Sequence, residues 1–474
     1  MKRLTKTQKK WLIPLLLTLL IGAALIVSLS IYFQNGGGLP FEGLLSQQMQ
    51  SLLAILLLAI PAVLVLLMLV LIFMKENHNT KMEAATPELA AELGVPLPIA
   101  AAEEKPAKDE VDTTQAERFC MLSQIDRRSA SYGHTTYEKG VTLESFCNHF
   151  RNYAAHQLRL YYDIEDIRQF IAGLAVSKLV ILQGMSGTGK TSLAHAFGSL
   201  TDNSSTVIPV QPMWKERTDL IGYYNEFTKR FNETLLLEKM YEANYSADMY
   251  ITVLDEMNIA RVEYYFAEFL SLLELPDPNE RFLEVVSDKW ATDPKQFIDG
   301  RILLPKNMWF IGTANNDDST FAISDKVYDR AMILNLDAKS ERFSAPATSK
   351  HPISAQQFGQ LVEDAVKQFG ISKRNLSRLE VMDKYLIDHF HITFGNRIMK
   401  QIKTYIPVYV ACGGDELTAL DDILAKKVIR KLETQNPIYL RNASEDLLAF
   451  MDDLFGEDKM MRCRDYIARL QRNA

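Results

Sequence analysis

The chain has 474 residues, a net charge of −7 and a hydrophobic share of 47%, enough for two or three domains. Its acidic balance excludes a constitutive nucleic-acid coat. Cys120, Cys147, Cys412 and Cys463 are far apart with no paired spacing, which excludes a disulfide scaffold and reads as free thiols.

The apolar residues are unevenly spread. No charge occurs from Trp11 to Phe41, Glu42 interrupts once, and the next charge is Lys75. Residues 11–33 and 52–74 are each long enough to cross a hydrocarbon core about 30 Å thick, so two transmembrane helices are expected within an N-terminal segment 1–75. Lys2, Arg3, Lys6, Lys9 and Lys10 precede the first span, Lys75 and Lys81 follow the second, and the connection between them has no Lys or Arg. Both termini are therefore expected on the cytoplasmic side of the inner membrane. A cleaved signal peptide fits less well, because the first span is too long and lacks a small-residue cleavage site.

Residues 76–115, rich in Ala, Pro, Glu and Lys, read as a flexible linker. Residues 116–175 carry amphipathic helical spacing. Five apolar runs follow within 176–340, KLVILQ, STVIPVQ, MYITVLD, NMWFIGTAN and AMILNL, separated by helical or loop segments. Strands that alternate with helices predict an α/β fold with a five-stranded parallel sheet. Residues 341–474 read as helices forming a lid and a C-terminal bundle. There Lys426, Lys427, Arg430 and Lys431 form a basic cluster whose acidic neighbours predict a solvated helix face.

The first apolar run leads into GMSGTGKTS, which fits the P-loop pattern of Gly, four residues, Gly, Lys, and Ser or Thr, with a helical segment after it. Gly184, Met185, Ser186, Gly187, Thr188, Gly189, Lys190, Thr191 and Ser192 are thus candidates for binding the phosphates of ATP. The glycines let backbone N–H groups and a helix N-terminus face phosphate oxygens. Lys190 would reach the β and γ phosphates and Thr191 would offer its hydroxyl to Mg2+.

MYITVLD ends on Asp255 and Glu256. Taken alone, two carboxylates at a strand end either serve a cation and a reacting water or mark a surface turn that caps a helix. Beside a P-loop the first reading follows: Asp255 would hold Mg2+, Glu256 would polarise the attacking water, and Asn315, closing NMWFIGTAN, would orient that water or the γ-phosphate.

GMSGTGKT, VLDEMNIARVEYYFAEFLSLLE and IGTANNDDS, in this order, resemble the Walker A, Walker B and sensor 1 elements of AAA+ ATPases, and more narrowly the dynein-related branch with MoxR-type and McrB-type proteins. In that branch DEMN is followed by a long apolar helix. The resemblance spans residues 160–410. It implies an arginine finger at Arg330, with Arg261 as the runner-up, and a lid arginine at Arg397 that contacts the γ-phosphate. It further implies a homo-oligomeric ring, usually a hexamer. Segments near Tyr223 and Tyr224, and an insertion at 278–305 whose FIDGRI core reads as an Asp-Gly hairpin, are candidates for contacting a substrate in a central pore.

The expectation is a membrane-anchored AAA+ ATPase that uses Mg2+ and ATP to remodel or move a cytoplasmic protein client, as MoxR-like chaperones do. The alternatives are a McrB-like nucleic-acid translocating motor in defence, with nucleic acid less favoured as a partner, and a nucleotide-binding membrane scaffold with little turnover.

Overall fold

The computed structural model describes residues 117–132, 136–315, 320–337 and 340–473, which fall within one compact unit beginning at Glu110. The chain enters through α1 (Cys120–Arg127), whose first N–H groups, those of Cys120, Met121 and Leu122, donate to the Glu233 carboxylate at 2.8–2.9 Å. An acidic side chain from a distant strand thus caps a helix that has no cap of its own. In α2 (Leu143–Leu158) a capping box forms between Thr142 and Ser145, and Phe146, Cys147, Phe150 and Tyr153 fall on one buried face. In α3 (Ile164–Val176) the same spacing buries Ile167, Phe170, Ile171 and Leu174.

The sheet follows as expected. It begins with β1 (Leu179–Gly184), α4 (Lys190–Leu200) and β2 (Thr206–Pro209). A short α5 (Arg217–Ile221) leads into a hairpin of β3 (Gly222–Asn225) and β4 (Arg230–Glu233). Then come α6 (Leu235–Ala243), β5 (Tyr250–Asp255), α7 (Val262–Tyr265) and α8 (Ala267–Leu272). A second hairpin, β6 (Phe282–Glu284) with β7 (Arg301–Leu303), precedes β8 (Met308–Asn315), α9 (Asp325–Tyr328) and β9 (Met332–Asn335). The main sheet has the order β2-β5-β8-β1-β9, and every pairing in it is parallel. All five strands are the runs identified in the sequence.

Alternation along the strands gives the sheet two covered faces. Val180 and Leu182 pack into a core with α2, α3, α4 and the C-terminal helices, while Leu179 and Ile181 pack into a second core with α6, α8 and the hairpins. The six C-terminal helices are α10 (Ala355–Gln368), α11 (Lys373–Phe390), α12 (Gly395–Ala411), α13 (Glu416–Lys427), α14 (Pro437–Phe455) and α15 (Met461–Asn473).

Four expectations are corrected or refined. The long apolar helix after Glu256 is broken into a 3-10 turn at Met257–Ile259 and two short helices meeting at Phe266. The basic cluster is not a solvated face, since Lys426, Lys427 and Arg430 are buried. Lys426 donates to Asp422 at 2.8 Å and Gln169 at 2.7 Å, Lys427 donates to the carbonyls of Tyr328 and Ala331, and Arg430 pairs with Asp325 at 2.6 Å. These cations fasten the C-terminal helices to α3 and to the entry of β9. The insertion does contain its Asp-Gly turn, with φ of 50° at Asp299 and 72° at Gly300, as a type I′ turn requires. Tyr224 packs edge-on against Trp290 of that insertion at 6.1 Å, which makes it a packing residue.

The membrane assignment is also corrected. The stretches 11–33 and 52–74 lie outside the described residues, and among the described residues no helix is long and apolar enough to cross a membrane. The two longest, α11 and α14, have 18 and 19 residues and are interrupted by charges such as Glu380 and Asp383 or Glu445 and Asp452. A multi-pass inner-membrane placement therefore has no support in the described structure.

Candidate active site

The loop between β1 and α4 is shaped by its glycines. Gly184, Gly187 and Gly189 have φ of 144°, 79° and 93°, all in the region that L side chains resist. A Cβ on Gly184 would lie 2.2 Å from the Leu336 carbonyl oxygen, whereas one on Gly187 would meet nothing within 4 Å. The first glycine thus permits close packing against the chain after β9, and the second faces open space. Gly189 is the N-cap residue of α4, and no side chain caps that helix. Its opening N–H groups therefore have no side-chain cap, which suits an anion.

Within the loop, Lys190 donates from Nζ to the carbonyls of Gly184 at 2.9 Å and Met185 at 2.7 Å. Thr188 donates to Met185 at 3.0 Å, holding the turn closed. Met185, Ser186 and Gly187 are exposed at its crest, and Ser192 lies in the first turn of α4. The Tyr162 hydroxyl donates to the Gly189 carbonyl at 3.0 Å from the turn before α3. Burial pushes that hydroxyl's pKa up, so it stays a protonated donor.

The acidic pair meets this loop. Thr191 donates from Oγ1 to Asp255 Oδ1 at 2.8 Å, and Thr313 of β8 donates to the same oxygen at 2.8 Å. Thr313 Oγ1 also accepts from the Glu256 backbone N–H at 2.8 Å. Glu256 has a left-handed backbone with φ of 53°, uncommon for a residue with a side chain, and that backbone lifts the exposed carboxylate out of the strand line. The two acids are therefore split. Asp255 is held by two hydroxyls, and Glu256 is free to meet solvent.

Asn315 ends β8 in register with Gly184 of β1. Its carbonyl accepts from Asn258 Nδ2 at 3.0 Å and Thr320 Oγ1 at 3.1 Å. Asn258 is buried, also donates to the Phe321 carbonyl at 3.3 Å, and keeps its Oδ1 buried without a hydrogen-bond partner. Met257 is seated by a missing side chain on the neighbouring strand, because a Cβ on Gly312 would fall 1.9 Å from its sulfur. The DEMN segment is thus tied to β8 at every residue after Asp255.

Arg330 and Arg397 are brought together, but elsewhere. The Arg330 carbonyl accepts from Ser177 Oγ at 2.7 Å, just ahead of β1, whereas the phosphate loop begins at Gly184. An extended strand rising about 3.3 Å per residue places these two points roughly 20 Å apart. Arg330 pairs with Glu274 at 2.5 Å, and Arg397 pairs with the other oxygen of the same carboxylate. That shared carboxylate sets Arg397 beside Arg330, toward the end of the sheet where β1 begins. Arg261 stacks over the rings of Phe321 and Tyr264 at 5.0 and 5.9 Å.

The arrangement joins a phosphate-binding loop, a hydroxyl and carboxylate fit for a hard cation, and a free carboxylate at one edge of a parallel sheet. The profile of the AAA domain, dynein-related subfamily, matches the sequence from Leu179 to Ala331, from the first strand through the loop and acidic pair to the turn before β9. Residues 179–331 are an AAA domain of the dynein-related subfamily. Among solved structures, a full-length MCM homologue from Methanopyrus kandleri is 12% identical over 62% of this chain and 63% of that one, with a TM-score of 0.33. This chain thus spans less than two thirds of that protein's length. No curated protein matches the chain.

AAA domains are generally ATPases that bind nucleotide with Mg2+, and nucleotide-dependent activity is what this one implies. Its residues fit that pair, since Thr191 and Asp255 offer the hard oxygen donors that Mg2+ takes. Three positions that serve the AAA domain escaped the sequence reading. Thr313, a polar residue inside a buried strand, was the most legible; Tyr162 and Glu274 carried no local signal.

Proposed function

We propose that this protein is a Mg2+-dependent ATPase that works as a homo-oligomeric ring and uses hydrolysis to remodel or move a protein client, as MoxR-type chaperones do. The observation that carries the reading is the 2.8 Å bond from Thr191 to Asp255, which joins the phosphate loop to the acidic strand end across β8. The loop amides, the start of α4 and Lys190 bind the triphosphate, with the lysine exchanging its two carbonyl partners for phosphate oxygens. Thr191 and Asp255 would hold Mg2+, which would supply positive charge to the phosphates. Glu256, exposed and pointing away from the strand, takes the proton of the attacking water, and Asn315 orients that water from the end of β8.

Arg330 and Arg397 then belong to the site of an adjacent subunit, because neither reaches its own chain's phosphate loop. A protein client is favoured over nucleic acid by the burial of Lys426, Lys427 and Arg430, which takes these three cations of the C-terminal helices out of solvent. The test is Glu256→Gln in the purified chain. It is expected to retain ATP and lose phosphate release, and stimulation of the wild type by a protein client rather than by DNA or RNA supports the chaperone reading. A wild-type chain that ignores Mg2+ and ATP refutes it.

A further inference from the structure

The two arginines at the far end of the sheet share one anion. Glu274, two residues beyond α8, accepts from Arg330 on one carboxylate oxygen and from Arg397 on the other. Arg330 is further held by a 2.7 Å bond from one terminal nitrogen to the Lys326 carbonyl, and its Nε is buried with no hydrogen-bond partner. Gln401, one turn along α12 from Arg397, donates to the Asp329 carbonyl at 3.1 Å. The helix that follows the acidic strand end, the turn before β9 and the first turn of α12 therefore converge on a single carboxylate.

Two guanidiniums this close repel each other, and each would swing into solvent without a shared counter-charge. With Glu274 between them the cluster carries one net positive charge and keeps spare N–H donors. Arg397 is about half exposed, while Arg330 is only 15% exposed. One cation is thus anchored and the other open to an incoming group. Such a pair fits the equatorial oxygens of a transferring phosphoryl group, which two planar forks can clamp.

We infer that Glu274 is a positioning residue that holds Arg330 and Arg397 side by side as one cationic clamp for the triphosphate of an adjacent copy of this chain. The inference rests on the reading of the AAA domain as a ring ATPase. It adds the carboxylate that aligns the pair, and it makes the end of α8 a link: movement at the acidic strand end of one subunit is passed through Glu274 to the clamp that subunit presents to its neighbour.

The test is subunit mixing with the full chain. Glu274→Gln keeps the size of the side chain and removes its charge. It is expected to lower kcat roughly tenfold or more, as loss of a trans arginine does, while ATP affinity stays within about twofold of wild type. Glu274→Asp is expected to recover part of the lost kcat. Glu256→Gln subunits lack their own base but present an intact clamp, and Glu274→Gln subunits have the reverse defect. An equal mixture should therefore regain activity at about a quarter of the junctions, well above the mean of the two separate variants. The inference is overturned by a Glu274→Gln protein that hydrolyses ATP at the wild-type rate, by a mixture that gives only the mean, or by loss of assembly in the variant, since the ion pairs would then be structural. Absence of hydrolysis in the wild type instead removes the ATPase reading itself, and the clamp with it.

Discussion

Replacing Thr313 with Val tests how the two carboxylates are kept in different states. The side chain is 3% exposed, and Val matches it in shape, so packing is preserved while two hydrogen bonds are lost. One is the donation to Asp255 and the other is the acceptance from the Glu256 N–H, each at 2.8 Å. A hydrogen bond to a charged group contributes about 1.5–3 kcal/mol, and the stranded Glu256 N–H adds part of its desolvation cost. With the added methyl offsetting some of this, a loss of about 2–3 kcal/mol is expected, or a fall in melting temperature of about 5 °C or more. Glu256 also loses the bond that fixes its left-handed backbone, so kcat for ATP should fall about tenfold to a hundredfold, which corresponds to about 1.4–2.7 kcal/mol of barrier. Steady-state phosphate release and a thermal melt, run beside Thr313→Ser as the variant that keeps the hydroxyl, measure both effects. Wild-type turnover and melting in Thr313→Val, or an equal defect in Thr313→Ser, would refute the reasoning.

Gly312→Ala should destabilise the domain by about 2 kcal/mol in a denaturant titration, since its methyl falls 1.9 Å from the Met257 sulfur and the DEMN segment must shift to admit it. Arg118→Met strands Asp293, which is 7% exposed and bonded to the buried guanidinium at 2.7 Å, whereas Asp288, bonded at 2.8 Å, is 59% exposed and returns to water; a loss of about 3 kcal/mol is expected by the same titration. Burial lowers the Lys427 pKa to about 7 from 10.5, so between these values the unfolded chain binds the extra proton and stability rises with pH. Lys427→Met should flatten that rise in melts taken from pH 7 to 10. Asp166 titrates the other way: burial raises its carboxyl to about 6 from 3.8, so stability falls as pH climbs through that window, and Asp166→Asn should remove that fall.

The five apolar runs, the glycine-rich loop and the acidic pair were legible because each is local: strand periodicity, the left-handed turns of glycine and the placement of acids at a strand end act over a few residues. The sequence alone therefore determined the parallel sheet and the phosphate loop with its helix, and the profile match over residues 179–331 agrees with it. It also offered expectations that tertiary structure revised. The basic run in α13 looked solvated because its neighbours in sequence are acidic. One partner, Asp422, is such a neighbour, but Gln169, Asp325 and the carbonyls of residues 328 and 331 are brought close only by folding, and they bury the cluster. Arg397 was read as a γ-phosphate ligand from the motif around it, and nothing in that motif pointed to Glu274, the carboxylate it shares with Arg330. Strand order decided the rest. Inserting β8 between β1 and β5 lets Thr313 reach Asp255 and Glu256 at once, a contact across 58 residues that no local pattern encodes. Pattern along the chain sets which element a residue occupies, whereas electrostatic partnership depends on distance in space, and only the folded sheet fixes that distance.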